Sequence, residues 1–271
     1  MIKALLEKIR RHKEKRTFQK YGHEIKKIQL EQDGPIDYAR WKHPFYDTDP
    51  ITQKKINFYR QFIKDGDVAL DIGAHEGDTT VSMALAAGKD GLVLAFEPNP
   101  HVFPVLEANA KLNTNKTTII PLNFAATMED GEFTFASGDA SFGNGGIVGF
   151  TSNIPRNVRY TFNVTGKNLD SYLRNKYSDQ LPKLTFIKTD AEGYDKEILK
   201  SIREIIREFR PVIISECFKQ LKTEERNELY NFFSDLKYTV YFLPDFSGTP
   251  PTPMSIENMN DQKHFDILAK P

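Results

Sequence analysis

Apolar residues in the middle of the chain fall into short runs that alternate with stretches of helical period. Val68–Ile72, Gly91–Phe96, Thr117–Leu122, Leu184–Thr189 and Pro211–Glu216 read as buried strands. Between them, Thr79–Ala87, a stretch from Asn99 to about Asn113, Asp195–Phe209 and Glu224–Leu236 repeat their apolar positions at helical spacing. Tyr238–Leu243 and Asp266–Ala269 supply final strands. This alternation predicts a doubly wound α/β fold: a mostly parallel, seven-stranded sheet with helices on both faces and a late antiparallel strand.

The flanking and interrupting segments follow other patterns. Residues 2–20 place Ile2, Leu5, Leu6, Ile9 and Phe18 among cations, which predicts a short amphipathic helix. Residues 31–48 read as irregular, with a turn at Gly34-Pro35 and an aromatic cluster at Trp41, His43, Phe45 and Tyr46. Asp49 then caps a helix with Pro50 in its first turn. A helical extension over 1–49 followed by one domain over 50–271 is the expected organisation. Residues 123–167 break the alternation: Glu132–Ala136 and Val158–Val164 resemble exposed strands, and a Gly-rich loop lies between them. That insertion follows the third strand, whose carboxyl end borders a ligand crevice in such folds, so it reads as a lid.

Charge refines the picture. Across 271 residues the 37 basic and 37 acidic side chains balance, so no global positive field invites nucleic acid. Residues 1–30 nevertheless hold ten basic residues against Glu7, Glu14 and Glu24, compatible with docking on the protein itself or with peripheral membrane contact. The single cysteine, Cys217, excludes an internal disulfide and reads as a core residue. No segment approaches the ~18 apolar residues of a membrane span, and no signal-peptide pattern precedes the domain, so a cytoplasmic location is expected.

The densest chemistry is VALDIGAHEGDTT, residues 68–80: a strand ending in Asp71, a turn with Gly73 and Gly77, then a helix start at Thr79. A dinucleotide turn wants G-x-G-x-x-G, but His75 holds the middle position. D-x-G-x-x-x-G, with Glu97 ending the next strand to accept ribose hydroxyls, fits S-adenosylmethionine (SAM) better than NAD. His75 and Glu76 read equally as exposed turn residues or as contacts. In FIKTDAEGYDKEIL, Asp190 ends the fourth strand and is expected to face Gly73 across the switch point. Glu192 follows on the same loop and Glu216 ends the fifth strand. The three acids suit a general base, polyol orientation or a divalent cation (Mg²⁺ or Mn²⁺ on Asp190 and Glu216). Capping of the helix from Asp195 is the competing role for Asp190 and Glu192. Lys188 can salt-bridge one of them.

The segments DIGAHEGDTT, FEPNP, PLNFAATMEDGEF, NLDSYL, FIKTDAEGYDKEIL and RPVIISE stand in register over roughly residues 55–217. In them the chain resembles the FkbM-type methyltransferases, a branch of the Rossmann-like class I SAM-dependent fold. The resemblance implies a SAM cofactor and O-methylation of a hydroxyl on a sugar, glycan or natural product. By that match Asp71, Gly73 and Glu97 are cofactor residues, with Phe124 and Ala125 near the adenine and Asp190 and Glu192 at the substrate side; His75, Gly77, Thr79, Pro98, Asn99 and Asp190 complete the cofactor-side candidates. Asp190, Glu192 and Glu216 are the catalytic candidates, and Ser141, Asn144, Gly145 and Lys188 the acceptor-side candidates. Asp195 stands where the family often has Glu. The alternatives are an NAD-dependent oxidoreductase, which His75 disfavours, and a non-catalytic SAM-binding module, which would not need the acids. An amine-directed enzyme would carry [DN]-P-P-[YF], and Asn99-Pro100-His101 does not match it.

Overall fold

The computed structural model describes residues 15–45, 51–138, 140, 142, 145–148 and 160–271. The predicted helix over 2–20 lies mostly outside these residues, as do Tyr46, Asp49, Pro50, Ser141 and Asn144.

Within the segment expected to be helical or irregular, β1 (His23–Leu30) and β2 (Gly34–Trp41) form an antiparallel hairpin. Gly34, at φ 71°, closes the turn in a left-handed conformation that costs glycine little. The outer edge of β2 would leave every second peptide group unpaired. Three side chains take the place of a missing strand. Asn113 Oδ1 accepts from Asp37 N at 2.9 Å, Asn109 Oδ1 from Ala39 N at 2.7 Å, and Glu76 Oε2 from Trp41 N at 2.9 Å. The two asparagine amides also donate back to the carbonyls of Asp37 and Ala39, so the edge is closed rather than exposed. At the hairpin tip, Asp33 is bound by Arg60 at 2.5 Å, and Gln53 Oε1 accepts from Gln32 N at 2.8 Å. The helix α1 (Gln53–Tyr59) that carries Gln53 is capped by Thr52, whose hydroxyl accepts from Lys55 N.

The core alternates as predicted: β3 (Val68–Ile72), α2 (Asp78–Ala87), β4 (Leu92–Phe96), α3 (Phe103–Lys111) and β5 (Ile119–Leu122). Asn99 does not cap α3. Its Oδ1 instead accepts from His101 N in a local turn, and the helix begins at Phe103 with Pro104 in its first turn. After β5 the chain leaves the main sheet for β6 (Ala125–Thr127), β7 (Gly131–Ser137), β8 (Gly146–Ile147) and β9 (Tyr160–Asn168), a separate sheet in the order β6-β9-β7-β8. Helix α4 (Leu169–Tyr177) returns it to β10 (Leu184–Thr189).

The predicted helix Asp195–Phe209 is two, α5 (Asp195–Ser201) and α6 (Arg203–Phe209), broken at buried Ile202. The Ser201 hydroxyl donates to the Ile198 carbonyl at 2.6 Å, diverting an acceptor from the helical ladder. The chain ends through β11 (Val212–Cys217), α7 (Thr223–Asp235), β12 (Thr239–Leu243), the two-residue β13 (Thr252–Pro253) and β14 (Phe265–Lys270).

The main sheet runs β13-β12-β14-β11-β10-β3-β4-β5. β11, β10, β3, β4 and β5 are parallel neighbours and β14 is antiparallel to both its neighbours. The seven expected strands are present, and β13 adds an unforeseen edge. Alternate residues feed two cores. Val68, Leu70, Ile72, Leu94 and Phe96 pack towards α4 to α7, while Ala69, Val93 and Ala95 pack towards α1 and α2. The order reverses between β3 and β10, which places the topological switch point there.

Candidate active site

Gly73 and Asp190 meet at that switch point. Asp190 N donates to the Ile72 carbonyl at 2.9 Å, and a Cβ on Gly73 would lie 1.9 Å from the Asp190 carbonyl oxygen. Gly73 and Ala74 both donate to the Phe96 carbonyl at 3.0 Å, which folds the turn over the end of β4. His75, at φ 51°, follows in a left-handed conformation, and its amide donates to Glu97 Oε2 at 2.8 Å. Glu97 Oε1 accepts from Asn99 N at 2.7 Å. Glu97 thus ties the turn to the strand end while each oxygen keeps a lone pair for another donor. Burial pushes its carboxyl up to about 7, against the two amide bonds that favour the charged form.

These residues open onto a cleft at the carboxyl ends of the strands. Ile72, Phe124, Ala125 and Ile198 give it apolar walls, and Gly73, His75, Glu97, Pro98 and Asn99 line one side. Asp190, Ala191, Glu192 and Tyr194 line the opposite side, with Phe135, Gly145, Gly146 and Ile147 from the second sheet. Of these, Ile72, Ala191, Tyr194, Ile198, Phe135, Gly146 and Ile147 are not among the site residues expected from the sequence. The signal for Tyr194 was its place in the dense 186–199 segment. Phe135 and Ile147 announce only a strand.

Other expected site residues lie elsewhere. Asp71 is fully buried beneath the turn, accepting from the Thr80 hydroxyl at 2.5 Å, and burial raises its carboxyl. Gly77 starts α2 at φ 98°, with Leu106 and Asn109 against it, and Thr79 is buried in the first turn of α2. Lys188, opposite Asp71 in the ladder, is buried and reaches Asp190 Oδ2 at 2.9 Å. Burial would lower its ammonium, but Asp190, Asp71 and Tyr59 outweigh that and hold it charged. Glu216 is buried outside the cleft lining and pairs with His264 at 3.2 Å. Glu76, left open in the sequence reading, is 1% exposed and bonded to the hairpin.

Glu192 is the acid that the cleft holds most distinctively. It sits at φ 53°, followed by Gly193 at φ 98°, so the loop doubles back on itself. Asp195 fixes this shape by accepting from Ala191 N at 3.1 Å and Gly193 N at 3.2 Å. Burial, then the charges of Asp190 and Asp195 against that of Lys219, push the Glu192 carboxyl up to about 7. Asp195 therefore acts as the loop's internal cap. Among the described residues no three His, Cys, Asp or Glu side chains converge as metal ligands.

Residues 71–240 match the Methyltransferase FkbM domain. The chain belongs to the FkbM methyltransferase family. Hexuronic acid methyltransferase AglP from Haloferax volcanii is 27% identical over 164 residues, covering 60% of this chain and 61% of that enzyme. The match thus spans less than two thirds of the relative's length. The FkbM methyltransferase from Methylobacillus flagellatus superposes with a TM-score of 0.46 and 14% identity, covering 79% of this chain and 50% of that one. The SAM-dependent O-methyltransferase from Thermotoga maritima does so with 0.43 and 14%, covering 92% and 77%.

The cleft has the features that a SAM cofactor would need. Glu97 presents acceptors where a ribose would bring donors, and Phe124 and Ile198 offer apolar surface for a base. No helix among the described residues is long and apolar enough to cross a membrane.

The raised carboxyls make the ligand-free enzyme pH-sensitive. Glu97 and Glu192 bind protons in the folded state up to about 7 but release them near 4.5 when unfolded. Folded protein therefore holds more protons across this window, and stability falls as pH rises through it. Melting temperature should drop between pH 5 and pH 8; a flat or rising profile would contradict the burial of these acids.

Proposed function

We propose that the chain transfers the methyl group of SAM to a hydroxyl of a sugar or related polyol, with Glu192 as the general base. The observation that carries this reading is the place of Glu192, a half-buried carboxylate on the cleft wall opposite Glu97, where desolvation and the neighbouring acids push its carboxyl up to about 7. A sugar hydroxyl is a poor nucleophile, and a base matched to neutral pH removes its proton as the new bond forms. Bound SAM supplies an electrophilic methyl group on sulfur. The protein's share is to hold the acceptor oxygen in line and exclude water, for which the second-sheet residues Phe135 and Ile147 give cover.

Asp190 is assigned to orientation rather than to proton removal, because Lys188 already neutralises it at 2.9 Å. Glu216 is left out of the reaction on the same geometric ground, since it does not line the cleft. A sugar acceptor is supported by the hexuronic acid methyltransferase among the relatives. A glycan or small-molecule acceptor, not nucleic acid, agrees with the balanced charge of the chain.

Calorimetry on the full chain tests the donor side: SAM and S-adenosylhomocysteine should bind in the micromolar range, and NAD should not bind. Binding of NAD alone would replace methyl transfer with hydride transfer. A panel of neutral sugars and uronic acids with radiolabelled SAM then assigns the acceptor, and label in an alkali-labile ester would argue against a hydroxyl.

A further inference from the structure

We infer that the hairpin of β1 and β2 is a working part of the cofactor site, and that Glu76 is the positioning residue through which it acts. Both strands lie outside the region that matches the family, yet β2 reaches into the middle of the signature turn. Tyr38 donates its hydroxyl to Glu76 Oε1 at 2.6 Å, and Trp41 donates its amide to Glu76 Oε2 at 2.9 Å. The Glu76 carbonyl accepts from Asn109 Nδ2 at 2.8 Å, and the same amide group holds Ala39 on β2. Glu76 is therefore held at its carboxylate and at its backbone by the hairpin and by the side chain that docks the hairpin.

The neighbours of Glu76 are the residues that shape the cofactor wall. His75 takes a left-handed conformation, donates its amide to Glu97 and lines the cleft, with Trp41 edge-on at 5.4 Å between ring centroids. Gly77 closes the turn against Leu106 and Asn109. His75, a non-glycine residue in the left-handed region, is costly to hold there, and one local bond, Gly77 N to the Ala74 carbonyl at 2.9 Å, closes the turn behind it. The buried, charge-assisted bonds from Tyr38 and Trp41 offset that cost. The hairpin thereby sets where the His75 amide meets Glu97, and so where Glu97 points.

The inference rests on SAM binding at this turn, so wild-type binding is measured first; its absence would overturn the functional reading and the hairpin's role with it, whereas the variants bear on the hairpin alone. Given wild-type binding, Tyr38→Phe should weaken SAM about tenfold, because one bond to a buried carboxylate is lost. Glu76→Ala should weaken it more. Asn113→Ala is the control: it breaks the clamp on Asp37, lowers the melting temperature through the hairpin, and touches nothing in the turn. It should leave the SAM dissociation constant within twofold of wild type. Should Glu76→Ala fail to fold, Tyr38→Phe, which removes only one hydroxyl, decides the matter. Unchanged SAM affinity in folded Tyr38→Phe, or an equal loss in Asn113→Ala, would reduce the hairpin to a stabilising appendage and overturn the inference.

Discussion

Gly73→Ala should abolish measurable SAM binding and destabilise the fold by roughly 2–5 kcal/mol. The substitution adds a methyl group 1.9 Å from the Asp190 carbonyl oxygen, inside any tolerable contact distance. The obstacle is backbone, not a flexible side chain, so β3 and β10 must part at their carboxyl ends. The left-handed φ of 83° adds strain that only glycine avoids. Parting these strands moves Asp190 and the turn together, and both walls of the cleft shift. Gly138→Ala is the matched control, since a Cβ there meets nothing within 4 Å. Thermal melts and calorimetry on the two variants check the expectation. Wild-type-like SAM affinity in folded Gly73→Ala would mean that the turn does not hold the cofactor.

Glu192→Gln should lower kcat by about 10²–10⁴ while SAM affinity stays within about threefold. The amide keeps the shape of the side chain but cannot take a proton from an acceptor hydroxyl. Loop geometry should survive, because Asp195, not Glu192, bonds the backbone of Ala191 and Gly193. In the wild type, kcat/KM should rise with pH through about 7 as the carboxyl ionises. That limb should vanish in the variant. If the variant turned over normally, the base would have to be sought elsewhere on the cleft.

The strands at the centre were readable to the residue. Val68–Ile72 and Leu184–Thr189 are covered on both faces, so their apolar runs have sharp ends and no competing period. The meeting of Gly73 with Asp190 followed from topology alone, because the switch point can lie only between β3 and β10 once the order is known. The hairpin was not readable. Ile25, Lys26, Lys27 and Ile28 break strict alternation, and the edge of β2 is completed by Asn109, which looks like an ordinary helix position in α3, and by Asn113 just beyond its end. The role of Glu76 was hidden for the same reason: its partners lie 35 and 38 residues away. Asn99 looked like a helix cap because its residue type suits both jobs, and only the three-dimensional course of 99–103 distinguishes a local turn from a helix start. Acids at strand ends were visible as a group, but which of them faces the cleft depends on the loop that Asp195 folds.

The second sheet, β6-β9-β7-β8, hangs from the end of β5 and shares no strand with the main sheet. It furnishes Phe135 and Ile147 to one wall of the cleft, whereas the turn and Glu97 belong to the main sheet. Insertions, deletions and substitutions in β7, β8 and β9 can reshape that wall while leaving Phe124, Ala125, Glu97 and the turn in place. Relatives of this protein should therefore diverge fastest between residues 134 and 167. A chimera exchanging that segment would be the direct route to moving one member's acceptor preference onto another.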